Sequence, residues 1–171
     1  MNNAKAAGST SAARETGSLN TWISTNVSAG SNGAGSGSGA ARTDGTQRAI
    51  TETLLKTVMQ STWTSGGSPS MIMVGAHVKT VISGFSGIAA QRYQAGDGPT
   101  TIIGAADVYV SDFGSINIVP NRFSRSRDAY VLDTDLLSVA TLRPMQVVDL
   151  AKTGDASKSM TLLEAGLQVD N

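Results

Sequence analysis

The chain has 171 residues with 13 Lys+Arg against 13 Asp+Glu, no cysteine and a single histidine. A formal charge of zero with 15% charged residues gives no electrostatic footprint for a phosphate backbone or an anionic membrane, which disfavours nucleic-acid binding as the main task. The absent cysteines exclude disulfide scaffolds, thiolate metal sites and thiol nucleophiles, and one histidine leaves little for a triad or a histidine-rich metal site. No apolar run has the length of a membrane span, and Met1-Asn2-Asn3-Ala4-Lys5 lacks the apolar stretch of a secretory signal. These features predict a soluble, intracellular protein with poor catalytic equipment, and near-zero charge favours self-association.

Residues 1–46 hold 8 Gly, 8 Ser and 9 Ala, and read as a flexible segment with an anchor near 19–27, at Leu19, Trp22, Ile23 and Val27. The run from Ser28 to Gly39 is expected to be its most mobile part. The clearest predicted helix spans about 44–65, with Asp44 as N-cap and Gln47 completing the box. Ile50, Leu54 and Val58, beside Leu55, Met59, Thr62 and Trp63, form its apolar stripe, and Gly66-Gly67 ends it. Met71–Val74 reads as a strand buried on both faces, and His77–Ser83 as a short helix burying Val78, Val81 and Ile82. Residues 86–101 read as a loop. A hairpin follows, with Val108/Val110 and Ile116/Ile118 inward around a Phe113-Gly114 turn. That dipeptide is atypical for a two-residue turn, so a register one residue away stays open. Ala129–Leu132, Leu136–Leu142 and Met160–Val169 complete the strands, the last after the polar turn Lys152–Asp155. The predicted class is α+β, richer in strands towards the C-terminus.

Few motifs carry chemistry. Gly35-Ser-Gly37-Ser-Gly39-Ala40 matches a dinucleotide fingerprint in form only, with no strand before it and Leu55 where an acid belongs. Asp133 and Asp135 have the oxygen chemistry for a divalent cation, which keeps a small metal-dependent enzyme as a remote alternative, but strand-end aspartates ordinarily serve turns. Asp107 and Asp112 fall on opposite faces by spacing. Gly84-Phe-Ser86-Gly87 is not a nucleophile elbow. His77 reads as a solvated helix-start residue, and Asn26-Val-Ser28 is a sequon in pattern alone. No catalytic residue, metal ligand or cofactor site is assigned. Arg122, Arg125 and Arg127 around Phe123 read equally as a subunit-interface clamp or as a solvated loop with one local Arg–Asp pair.

Four longer strings say more. AARTDGTQRAITETLLKTVMQSTW, SPSMIMVGAHVKTVISGFSG, AADVYVSDFGSINIVPNRFSRSRDAYVLD and ATLRPMQVVDLAKTGDASKSMTLLEAGLQVDN together resemble the major capsid proteins of tailed bacteriophages, in the branch typified by phage SU-ten. The resemblance runs from about Leu19 to the end. It implies a Hong Kong 97-type capsid fold, with an axial-domain sheet and flanking helices over 47–137 and return strands towards a peripheral-domain sheet over 138–171. Compared with that family the chain reads as a core lacking the N-terminal arm, the extended hairpin and most of the spine helix.

The implied function is a subunit of an icosahedral head shell, assembling with itself into pentamers and hexamers around packaged DNA. Candidate further partners are portal, scaffold or decoration proteins, with non-specific DNA contact at most and no membrane. Location would be the virion, and the bacterial cytoplasm before assembly. Arg122, Arg125, Arg127 and Arg143 are the candidate subunit-interface residues. The shell of a bacterial encapsulin-type nanocompartment is the alternative within the same fold.

Overall fold

A computed structural model describes residues 3–35, 37–85 and 107–170. In chain order these form α1 (Leu19–Trp22), α2 (Glu52–Thr64), β1 (Met71–Val74), α3 (Ala76–Ser83), β2 (Val108–Ser111), β3 (Gly114–Pro120), β4 (Ala129–Leu132), a 3-10 turn (Thr134–Leu136), β5 (Leu137–Asp149) and β6 (Ser159–Val169). The class is α+β, as expected. The loop expected at 86–101 lies outside the described residues.

Strands β1 to β4 form one sheet in the order β2-β3-β1-β4, with β1 and β3 parallel and the other pairs antiparallel. Register decides which side chains share its helix-covered face. Ile72 pairs with Ile118, and Tyr109 with Ile116, and all four are buried. They pack with Leu55 and Met59 of α2, Val78 and Ile82 of α3, and Phe85. Each such side chain taken from water contributes about 1.5–3 kcal/mol, so this layer contact holds the domain together.

Five expectations are corrected. Helix α2 starts at Glu52 rather than near Asp44, and its cap is Thr51, whose Oγ1 accepts from Leu54 N at 3.3 Å. Asp44 is unavailable because it pairs with Arg125, far away in sequence. The buried stripe of α2 is Leu55 and Met59, with Leu54 and Val58 only half-buried, while Trp63 is 59% exposed and meets the Phe113 ring at 5.6 Å between centroids.

In the hairpin, Ser111 faces Gly114, so Asp112-Phe113 form the turn, one residue earlier than Phe113-Gly114. Ser111 Oγ closes it, accepting from Phe113 N and donating to Gly114 O, and Gly114 takes a φ of +125° that a side chain would resist. Pairing parity then sends Tyr109 inward and leaves Val108 and Val110 exposed. Strand β1 is buried on one face only, through Ile72 and Val74, with Met71 and Met73 half-buried on the other. Helix α3 is found where expected, one residue longer at its start, with Val78 and Ile82 buried, Val81 half-buried and exposed His77 in its first turn.

The N-terminal segment has local order. Isolated bridges join Ala6 to Glu15 and Ala34 to Thr43, and Lys5 Nζ lies 4.8 Å from the Trp22 ring centroid. The anchor at α1 buries Asn20 and Thr21 rather than the apolar Leu19 and Trp22, which are half-buried.

Candidate assembly surface

Strands β5 and β6 make a second, two-stranded antiparallel sheet, from Leu137 opposite Val169 to Asp149 opposite Ser159. The register shifts twice, between Thr141 and Arg143 and between Arg143 and Gln146, each time leaving an extra residue on β5. Such bulges bend and twist the bulged strand. Strand β6 is unbroken, so its residues alternate cleanly between faces. Leu163, Ala165, Leu167 and Val169 share one face with Val139, which opposes Leu167, and with Leu137, which opposes Val169.

Among the described residues none of the three helices covers this ribbon. Val139, Leu142 and Met145 are 73%, 71% and 71% exposed, and Val147 and Leu163 are exposed too. An isolated two-stranded hairpin is marginal in water, because one layer cannot bury its own apolar face. A contiguous exposed apolar surface of this kind marks an interaction site. Arg143 Nε lies 3.4 Å from Glu164 Oε2 across the ribbon, so this candidate interface residue has an in-chain partner on a largely exposed surface.

The other three arginines follow β3. Arg125 Nη2 donates to Asp44 Oδ2, and its Nη1 lies 3.4 Å from Asp128 Oδ2. Arg127 Nη1 reaches the same Asp44 oxygen at 3.3 Å, and its Nη2 donates to Gly45 O at 2.7 Å. The Arg125 hydrogen bond holds the Asp44 carboxyl below its ordinary pKa; burial, the next-largest influence, opposes it, and the charges of Arg125, Arg127 and Arg42 add to the lowering. Tyr130 donates to Asp128 Oδ2 at 3.1 Å, and burial first, then the Asp128 charge, push its hydroxyl pKa well up. Backbone packing fixes the loop from below. A Cβ on Gly75 would stand 2.9 Å from Arg125 O, so that position needs glycine.

Two of the three loop arginines thus tie the N-terminal segment to the β3–β4 connection. Arg122 makes no ion pair among the described residues and is exposed beside Phe123, which is 75% exposed. The geometry brings Arg125 and Arg127 together on Asp44; Arg122 stands apart from that cluster. Sequence reasoning missed Asp44 as the shared partner, having placed it at a helix start.

Asp133 behaves as a turn residue, with Oδ1 accepting from Asp135 N at 3.2 Å and Oδ2 from Ser68 N at 3.1 Å. Among the described residues no group of three His, Asp or Glu could hold a metal ion, and no helix is long and apolar enough to cross a membrane. Asp107 is engaged with Lys79 at 3.0 Å.

Among the described residues, then, an α+β core carries a long ribbon whose large apolar side chains are exposed, the kind of surface that meets other protein. The family model described as SU10 major capsid protein matches residues 1–171, the whole chain, and the chain belongs to that family. No curated protein matches it. That family is of bacteriophage major capsid proteins, which implies a structural part in the phage head, self-association into the capsid and a place in the virion.

Proposed function

We propose that this chain is a shell subunit that assembles into pentamers and hexamers and closes, in an icosahedral lattice, around packaged DNA. The family match carries this reading, and the ribbon's exposed apolar side chains support it. On this reading the fold is Hong Kong 97-like. Residues 1–46 form a loose segment anchored near 19–27, 47–137 the axial-domain core, and 138–171 the return strands of a peripheral sheet. The separate pairing of β1–β4 and of β5–β6 supports that division. Portal, scaffold and decoration proteins are its further partners, DNA contact is non-specific, and assembly begins in the host cytoplasm.

Arg122, Arg125, Arg127 and Arg143 lie at subunit contacts in this proposal. Arg122 is the outward member, while Arg125 and Arg127 keep the loop that presents it in shape. Light scattering with negative-stain imaging over a concentration series tests the reading. Species larger than the monomer that grow with concentration, with ring-shaped particles, are expected. A monomer at every concentration overturns it. Arg122→Glu should shift the distribution towards monomer while leaving the thermal transition in place, and an unmoved distribution removes Arg122 from the interface.

A further inference from the structure

The two outer edges of the ribbon are unlike. The β5 edge is interrupted by both bulges and by Pro144, which has no N–H to donate. Bulges and proline on an edge strand are devices that prevent further pairing. Strand β6 has none of them over eleven residues, and its one charge, Glu164, is engaged with Arg143.

Hydrogen bonding shows what that edge offers. Asp170 N donates to Leu136 O, and Leu150 N donates to Lys158 O, so the even-numbered residues of this stretch turn their backbone groups towards β5. Alternation then turns the N–H and C=O of Thr161, Leu163, Ala165, Leu167 and Val169 outward.

Those five residues, which also share the apolar face, read almost the same from both ends: Thr, Leu, Ala, Leu, Val, with threonine and valine of similar shape. We infer that β6 pairs antiparallel with β6 of a second copy about a two-fold axis at Ala165, giving a four-stranded sheet ordered β5-β6-β6-β5. A two-fold contact is self-complementary, so a palindromic strand is the pattern it requires. In this register Leu163 opposes Leu167 of the copy, Thr161 opposes Val169, and each pair exchanges both backbone bonds. On the reverse face Glu164 comes to lie opposite Gly166 of the copy, where an added Cβ meets nothing within 4 Å.

The two registers shifted towards the start of the strand are worse for stated reasons. An axis at Glu164 sets two carboxylates directly opposite, which destabilises a sheet. An axis at Leu163 sets Leu167 against Ser159 and leaves Val169 beyond the end of the partner strand.

The inference rests on the shell-subunit reading, which supplies the second copy. Because the chain has no cysteine, single cysteines report position without background. With a short bis-alkylating reagent, Ala165→Cys should link to itself. Leu163→Cys should not, since its counterparts in the pair are about 13 Å apart along the strands. Gly166→Asp, which places like charge opposite Glu164 twice per dimer, should weaken self-association about tenfold. Gly166→Lys should keep or strengthen it.

That combination is the expected result. If scattering shows oligomers but Leu163→Cys links as well as Ala165→Cys, or Gly166→Asp changes nothing, the pairing is overturned and the shell reading stands. If the unmodified chain is monomeric at every concentration, both fall.

Discussion

The two sheets both carry large apolar residues and come to opposite ends. In the four-stranded sheet, Ile72, Ile116 and Ile118 are 0%, 2% and 3% exposed, because α2 and α3 close over them. In the ribbon, Val139 and Leu163 lie in longer strands, yet both remain exposed. The difference lies in what is packed on top rather than in the strands. Alternating apolar residues specify a pleated layer with one dry side, and the partner layer decides whether that side is dry within one chain or only in an assembly.

The comparison can be broken most directly by truncating one side chain in each sheet. Ile72→Ala should cost about 2–5 kcal/mol in denaturant unfolding, since it empties space between β1 and the helices. Val139→Ala should stay within about 0.5 kcal/mol in the isolated subunit, because little is packed on it. Equal costs would mean that the ribbon is covered after all. Amide hydrogen exchange sharpens the same contrast without mutation. Protection in β1 and β3 should exceed that in β5 and β6 by at least about 2 kcal/mol, roughly 30-fold, in the subunit, and the gap should narrow on assembly.

The next effect concerns the tie between the N-terminal segment and the core. Arg125→Ala removes the main partner of Asp44 and should cost about 1–2 kcal/mol, followed by thermal unfolding. Its pH dependence has a definite sign. The folded pKa of Asp44 lies below its ordinary value of 3.8, so the stabilisation is present above that value and is lost as pH falls through the folded pKa. The stability gap between the native chain and Asp44→Asn should therefore be constant near neutrality and close only below about pH 3.8. A gap that closes between pH 5 and 7 would assign the tie to another group.

How far the sequence foretold this follows the range of the interactions. The short helix α3, its Gly84 stop, β1 and β4 rest on local periodicity, and all four are found. The start of α2 was misplaced because a locally sound cap, Asp44, is claimed by Arg125 across a sequence separation of 81. A local signal cannot report such competition. The hairpin turn slipped by one because Ser111, rather than the dipeptide Phe113-Gly114, closes it. With that slip, Tyr109 takes the buried side and reaches Glu52 from it through its hydroxyl, at 3.3 Å. The arginine cluster was legible as a cluster, since three arginines in six residues are visible in the sequence, while its carboxylate partner was not. The β5 bulges are set by pairing, which only the register exposes. The palindrome of β6 was present in the string all along, but it acquires meaning only once β6 is seen to pair with β5 alone among the described residues.

The smallest expected effect lies within the ribbon itself. Arg143 and Glu164 form its cross-strand ion pair at 3.4 Å, with the arginine side chain 57% and the glutamate 38% exposed. Water screens such a pair, so Arg143→Ala should cost the subunit less than about 1 kcal/mol, and less still in high salt. Its role would show in the assembly. If β6 pairs with its copy, Glu164 moves to the middle of a four-stranded sheet, where the loss of a neighbouring positive charge matters more. The same substitution should therefore lower the self-association constant by more than it lowers subunit stability, each measured in low and in high salt. Equal losses in both would leave Arg143 a surface residue of the ribbon with no part in the contact.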